Sequence, residues 1–538
     1  MKPSSFLPLV ALIALSSCSP ARPTASAVPS PTPQPTATTA AASHPWWRDA
    51  VFYEIFVRSF NDTDGDGIGD FDGITARLDY LHTLGVDALW LMPIHPSPSY
   101  HGYDVLNYYA ANPEYGSLED FKVLVDEAHR RGMRVIIDLV LNHTSSQHPW
   151  FADASRGPDS AYRDWYLWSD TRADRWHSDS SDPPMYYYGY FGAHMPDLNY
   201  TNAEVTSGME DLARFWLDEV GIDGFRVDAA RHLIEEDGKL ENTPATHDWY
   251  RGFYDFYKGM DPDAYAVGEV WGAGGLIAKT YTGDQFDQLF NFELASGAVN
   301  SASGGSNSSI DSALKFTLPE MPDGNYGTFL TNHDQDRVMS VLQGDPGKAK
   351  VAAAILFTAP GVPYVYYGEE IGMTGRKPDE DIRRPMQWDD SANAGFTTGS
   401  PWRPPAEDYL QTNVAAQDSD PGSLLNYYRS LTSLRHDHPA LRTGETALVE
   451  TGNTRIYAIL RRDLAETLLV LINLGDEPLA EYALSLSDAG LTDGDHTVEA
   501  VFGTQAPAAP LAAVGGGFQG YQPLAELAPH TAYVFQIE

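Results

Sequence analysis

From Trp46 onward, short hydrophobic runs alternate with segments whose hydrophobic positions recur at helical spacing. The runs fall at residues 51–60, 88–93, 134–142, 224–229, 265–270, 288–292, 327–332 and 362–368. Several are continuous in Val, Ile, Leu, Phe or Tyr, the pattern of parallel strands covered on both faces. Between them, Ile74, Leu78, Leu81 and Leu84 share one helical face that Gly85 can end. Phe121, Leu124, Val125 and Ala128 form another such face after a capping-box-like Ser117 and Asp120. Eight strands with intervening helices predict an α/β fold of the (β/α)₈ TIM-barrel type. A doubly wound open sheet is the rival, but no Gly-rich phosphate turn follows the first strand. Residues 144–200 are too many for an ordinary loop and are rich in Trp, Tyr and Asp, so a small inserted domain is expected after the third strand. Beyond 442, runs at 455–461, 468–473 and 532–537 are separated by Gly, Pro and Asp. They predict a C-terminal antiparallel β-sandwich over 442–538, leaving 44–143 and 201–441 to the barrel.

The start of the chain differs. Residues 6–15 form a short apolar core, too short to span a bilayer, that reads as a secretory signal. Leu15-Ser16-Ser17-Cys18 resembles a bacterial lipobox. The expectation is that 1–17 are a lipoprotein signal peptide and that Cys18 carries the lipid. Residues 18–43, mostly Ala, Pro, Ser and Thr, would then tether an extracytoplasmic protein whose membrane contact is its anchor. Cys18 is the one cysteine, which excludes an intrachain disulfide and a cysteine-based zinc site. The formal charge of −39, from 74 acidic and 35 basic residues, repels phosphate backbones and argues against nucleic acid. A neutral polymer is indifferent to that charge.

Strand C-termini line the working face of such a barrel, and here they carry ionisable groups. The third run ends Asp138-Leu-Val-Leu-Asn142-His143, the fourth reads Gly224-Phe-Arg226-Val-Asp228, the fifth ends Gly268-Glu269-Val-Trp271 and the seventh ends Asn332-His333-Asp334. A single carboxylate there would be a cap or a surface charge. Several converging on one mouth are costly without a use. Clustered carboxylates without a thiol suit glycoside hydrolysis, in which one attacks the anomeric carbon and another protonates the leaving oxygen. Arg226 would hold Asp228 ionised, and an apolar wall of Val270 and Trp271 would raise the pKa of Glu269. Asp138 reads as an acceptor inside the barrel. The aromatics Trp165, Trp168 and Tyr186 to Tyr190 read mostly as the core of the inserted domain. Asp62-Thr-Asp64-Gly-Asp66-Gly-Ile68-Gly-Asp70 sets carboxylates at alternate positions with glycines that allow a tight wrap, which suits Ca²⁺. It is not an EF-hand, because no Glu stands at the twelfth position and a strand precedes it.

At these residues the sequence resembles glycoside hydrolase family 13, the α-amylase family, from about Trp46 to the C-terminus. Residues 138–143, 224–232, 268–271 and 329–334 are similar to its four best-known motifs. The resemblance implies Asp228 as nucleophile, Glu269 as general acid/base and Asp334 as transition-state stabiliser. It implies sugar contacts from His101, Tyr103, His143, Arg226, His333 and Arg383, and a contact two sugars beyond the cleaved bond from Arg231. It implies calcium at Asp62, Asp64, Asp66, Ile68 and Asp70, as in oligo-1,6-glucosidases, and a second calcium at Asn142, Asp197 and the His232 carbonyl. Met195-Pro-Asp197-Leu-Asn199 blends patterns of oligo-1,6-glucosidases and neopullulanases. The chain thus resembles the intermediate subfamily, which includes lipoprotein α-amylases. The expected activity is retaining, endo-acting hydrolysis of α-1,4-glucosidic bonds in starch and maltodextrins, with transglycosylation as a companion. The alternatives are an exo-acting α-glucosidase or oligo-1,6-glucosidase, a glucanotransferase or trehalose-forming mutase, and a non-catalytic glucan-binding protein.

Overall fold

Eight parallel strands close into a barrel: β1 (Phe52–Ile55), β2 (Ala88–Leu91), β3 (Arg134–Leu139), β7 (Gly224–Val227), β8 (Tyr265–Gly268), β9 (Gln288–Phe290), β10 (Tyr326–Thr328) and β11 (Val362–Tyr366). The numbers β4 to β6 belong to strands inserted after β3. The computed structural model describes residues 45–179, 184–272, 275–321, 324–503 and 505–538. The expected signal peptide, Cys18 and the expected tether lie outside them.

Strand periodicity places the chemistry. Phe52, Ile136 and Val267 point inward and, with Trp90, Phe290 and Tyr364, fill the barrel interior, where Phe52 and Tyr364 stack at 4.4 Å. Two residues further along the same strands come Glu54, Asp138 and Glu269. Side chains two apart share a face, so these carboxyls form the polar layer above an apolar plug. The run over 51–60 does not stay a strand. After β1, Val57–Ser59 is a 3₁₀ turn whose residues remain buried, and Phe60 packs on Trp388 at 5.2 Å. Burial continues where the ladder stops, so hydrophobicity alone overran the strand. The run over 327–332 overran β10 for the same reason, since residues 329–332 are buried beyond the strand.

The helix expected around Ile74 to Leu84 is two, Phe71–Ala76 and Leu78–Leu84, joined at Arg77, whose guanidinium lies 4.0 Å over the Trp388 ring. Gly85 ends the second in the left-handed conformation at φ 86°. Ser117 and Asp120 cap helix α1 (Leu118–Arg130) reciprocally.

The insertion carries a three-stranded sheet, β4 (Trp168–Ser169), β5 (Trp176–Ser178) and β6 (Tyr186–Tyr188), in the order β4-β6-β5. Trp165, Tyr187 and Tyr188 are buried, and Phe151 meets Tyr166 and Tyr187 edge-on, so these aromatics act as core. The C-terminal strands are β12 (Glu445–Leu448), β13 (Ile456–Arg462), β14 (Thr467–Asn473), β15 (Leu484–Leu486), β16 (Gly494–His496), β17 (Val498–Phe502), β18 (Leu511–Ala513), β19 (Phe518–Tyr521) and β20 (Thr531–Ile537). Five form an antiparallel sheet, β12-β13-β14-β20-β17, and β15-β19 and β16-β18 pair beside it. Ile456, Ala458, Leu469 and Phe535 face the small C-terminal core, whereas Tyr457, Ile459, Val470 and Val534 join the barrel core. Burial on both faces explains why these strands read as near-continuous apolar runs.

Candidate active site

The site is built on Arg226, which is 1 % exposed. Its Nη1 donates to Asp138 Oδ1 at 2.8 Å and to Asp228 Oδ1 at 2.6 Å, and its Nη2 pairs with Glu269 Oε2 at 2.7 Å. β3 supplies Asp138, the end of β7 supplies Asp228 and the end of β8 supplies Glu269. Asp138 stands directly opposite Arg226 in the β3–β7 register. Burial drives the Asp138 carboxyl up to about 7, against the opposing pull of Arg226. Burial also lifts Asp228 above the usual carboxylate range, outweighing Arg226, and the Glu269 charge adds to the rise. One guanidinium does not neutralise the three carboxylates gathered on it.

Glu269 has polar neighbours rather than the apolar wall anticipated from Val270 and Trp271. Its Oε2 accepts from Arg226 and from the Ala229 N–H at 3.1 Å. Ala229 adopts a left-handed φ of 46°, an uncommon conformation for alanine, in the turn that follows Asp228. Val270 is buried, and Trp271 is exposed and stacks on Phe292.

Asp334 faces this cluster from the turn after β10. Its Oδ1 accepts from Arg383 Nη2 at 2.9 Å, and its Oδ2 lies 3.3 Å from His333 Nε2. Burial would raise this carboxyl, but His333 and Arg383 hold it below the usual carboxylate range. His333 bridges Tyr103 OH at 2.7 Å and Glu54 at 2.5 Å. Burial disfavours its charged form, yet Asp334 and Glu54 raise its pKa. His143 is pushed down to about 4 by burial, and its Nε2 lies 3.2 Å from the Tyr103 carbonyl. His101 is part-buried beside Ser99 and Asp104. Arg231 stands apart from the carboxylate cluster, with its guanidinium on the Trp271 carbonyl and on Glu241.

Three neighbours of this cluster escaped sequence reading: Glu54 under His333, Trp90, whose indole N–H lies 3.3 Å from Asp138, and Asp379 beside Arg383 at 3.4 Å. Glu54 had a readable signal, because a carboxylate inside the buried run Phe52-Tyr53-Glu54-Ile55 needs a partner.

In the first acidic loop, carboxylate oxygens of Asp62, Asp64 and Asp70 lie within 4.8 Å of one another. Asp62 accepts the N–H groups of Gly65 and Gly67, both at 2.8 Å, and Asp70 accepts those of Thr63 at 2.8 Å and Gly73 at 2.6 Å. Asp66 is outside the trio and takes the N–H of Ile68 at 2.8 Å. The wrap depends on glycine. Gly67 has φ 96°, and a Cβ there would lie 1.9 Å from the Ser400 carbonyl. No ion pair to Asp62, Asp64 or Asp70 occurs among the described residues, so three hard oxygen donors converge without a protein cation.

Beside the second expected group, Asn142, Asp197 and the His232 carbonyl, stands Glu235, whose charge reaches Asp197. Asn142 Oδ1 and Asp197 Oδ2 are buried without hydrogen-bond partners among the described residues, and so is Glu235 Oε1, which sequence reading had missed. The His232 ring packs on Tyr190 at 4.0 Å. Orphaned oxygens of this kind fit a hard cation.

A model of the α-amylase catalytic domain matches residues 54–444. The chain is 40% identical over 442 residues to α-amylase 3 of Dictyoglomus thermophilum, covering 80% of this chain and 86% of that protein. It is 36% identical over 498 residues to the trehalose synthase/amylase TreS of Mycobacterium tuberculosis, covering 80% and 82%. The crystal structure of the α-amylase from H. orenii superimposes with a TM-score of 0.79 at 38% identity, covering 91% of this chain and all of that one.

Replacing Arg226 by Met leaves Asp138, Asp228 and Glu269 buried without their cation, and we expect a loss of about 3–5 kcal/mol at neutral pH. The folded-state pKa values of Asp138 and Asp228, already raised by burial, then rise further above the unfolded ones, so the penalty is full at neutral pH and shrinks as pH falls toward about 4. Urea unfolding at both pH values checks this. An equal deficit at both would contradict it.

Proposed function

The chain belongs to the α-amylase family of glycoside hydrolases, and from that premise we propose that it is a retaining, endo-acting hydrolase of α-1,4-glucosidic bonds in starch and maltodextrins. The observation that carries this reading is the gathering of Asp228, Glu269 and Asp334 at one barrel mouth, with the first two joined through Arg226. Sharing one guanidinium keeps Asp228 and Glu269 neighbours, consistent with the closer carboxyl spacing, about 5–5.5 Å, that retaining enzymes use.

In the first step Asp228 attacks the anomeric carbon. The bond to the glycosidic oxygen breaks as Glu269 gives that oxygen its proton, leaving a glycosyl ester on Asp228. Both hydrogen bonds to Glu269 fall on Oε2, which leaves Oε1 to carry the proton. Burial raises both Asp138 and Asp228 against the pull of Arg226, so the carboxylates gathered here are costly to ionise together. In the second step Glu269 takes a proton from water, the hydroxide attacks the same carbon and Asp228 is released with the anomeric configuration retained. Asp334, kept ionised by His333 and Arg383, stabilises positive charge on the ring. His101, Tyr103, His143 and Arg226 would hold the sugar at the cleaved bond, and Arg231 the second sugar on the leaving side.

Transglycosylation is the second reading, favoured by the similarity to a trehalose synthase/amylase. A sugar hydroxyl would then replace water in the second step. Product lengths from maltoheptaose separate the readings. Endo-action gives a spread of maltodextrins, glucose alone would refute it, and products longer than the substrate would report transfer. Replacing Glu269 by Gln should lower kcat by at least about 10²-fold with the fold intact, and unchanged turnover would remove its role.

Calcium fits the Asp62, Asp64 and Asp70 cluster and, with Glu235 added, the Asn142 and Asp197 group. There it would neutralise crowded carboxylates and tie the insertion to the barrel. Chelation should lower stability by about 3 kcal/mol at saturating prior occupancy, read as a falling thermal midpoint that added Ca²⁺ restores. A midpoint insensitive to chelator would refute both sites. We also infer lipid attachment at Cys18. Cys18→Ser should move the enzyme from the membrane to the soluble fraction, and continued membrane residence would contradict it.

A further inference from the structure

The residues after Glu269 lead onto a surface that the catalytic reading leaves unused. Trp271 is 45 % exposed, and its ring stacks on Phe292 with the planes 1° apart and the centroids 5.3 Å apart. The Arg231 guanidinium donates to the Trp271 carbonyl. From this pair a cleft of about 780 Å³ runs between helices α2 (Phe292–Gly304) and α3 (Ser308–Glu320). Phe292, Ser296 and Asn300 line it at four-residue spacing along α2, and Ser308, Ser312 and Phe316 do so along α3. Residues four apart share a helix face, so each helix gives the cleft an aromatic ring and two small neutral polar side chains. The floor is tight, since a Cβ on Gly297 would sit 3.0 Å from Ala313 Cβ. Phe316 is 39 % exposed.

This composition selects a ligand class. Exposed aromatic rings beside hydroxyl and amide groups suit a molecule with apolar faces and hydroxyl edges. Among the described residues Lys and Arg do not line the cleft, and Glu293 is its one charged residue, so a polyanion is disfavoured. The abundance of Ser and Asn disfavours an apolar protein or lipid surface. The position selects the direction. Glu269 protonates the leaving oxygen, so the wall that continues from Glu269 through Trp271 lies on the leaving-group side.

Resting on the hydrolase reading above, we propose that the α2–α3 cleft is an α-glucan-binding site on the barrel flank, contiguous with the mouth, that holds the chain beyond the bond being cut. It gives the enzyme an advantage on long glucans that short ones do not share.

The test compares the wild type with Phe316→Ala, which removes the outer ring, and Ser312→Arg, which fills the cleft from an exposed position. We expect kcat/KM on maltotriose to stay within about twofold, and kcat/KM on amylose to fall about three- to tenfold through KM. Unchanged amylose kinetics in both variants, or equal losses on both substrates, would overturn the proposal. Retardation of the intact proteins in amylose-containing native gels separates the two claims. If the wild type cleaves no α-glucan, the hydrolase reading fails. The cleft then still stands if Phe316→Ala runs faster than the wild type, and falls if the two migrate alike.

Discussion

A buried guanidinium is expensive to desolvate, and the Arg226 side chain is tolerated where it lies because three carboxylates meet it. The converse also holds, since Asp138, Asp228 and Glu269 would not share one enclosed mouth without that cation. The remaining geometry follows from satisfying this cluster. Trp90 and Tyr103 flank the guanidinium at 5.3 and 5.9 Å and shield it from water. The left-handed turn at Ala229 aims a backbone N–H at Glu269. Asp138 is spent on Arg226 so that Asp228 is not its sole counter-ion.

A second cationic arm mirrors the first. His333 and Arg383 hold Asp334 ionised, and Glu54 underwrites the charge on His333 from the first strand. The two arms give carboxyls of one chemical type different protonation preferences, a division that glycosyl transfer to water requires. Both rest on the aromatic plug of Phe52, Trp90, Phe290 and Tyr364, so packing below fixes electrostatics above.

Much of this was legible in the sequence. Continuous apolar runs located all eight barrel strands, and ionisable residues at their ends located the mouth. Strand ends were less legible, because residues 57–59 and 329–332 stay buried after the ladder stops. What pattern reading missed was lateral. Nothing local to Glu235 links it to Asn142 and Asp197, and nothing near Trp271 announces helices α2 and α3 as a shared wall. The surroundings of Glu269 were misjudged for the same reason. Val270 and Trp271 adjoin it in sequence, but Arg226 and Ala229 adjoin it in space.

The central claim is that Asp228 and Glu269 act as a close pair through a covalent glycosyl ester. The configuration of the first product tests it most directly. Proton NMR of maltoheptaose cleavage, followed before mutarotation, should show the α-anomer at the new reducing end. Initial release of the β-anomer would mean single displacement by water and would contradict the account.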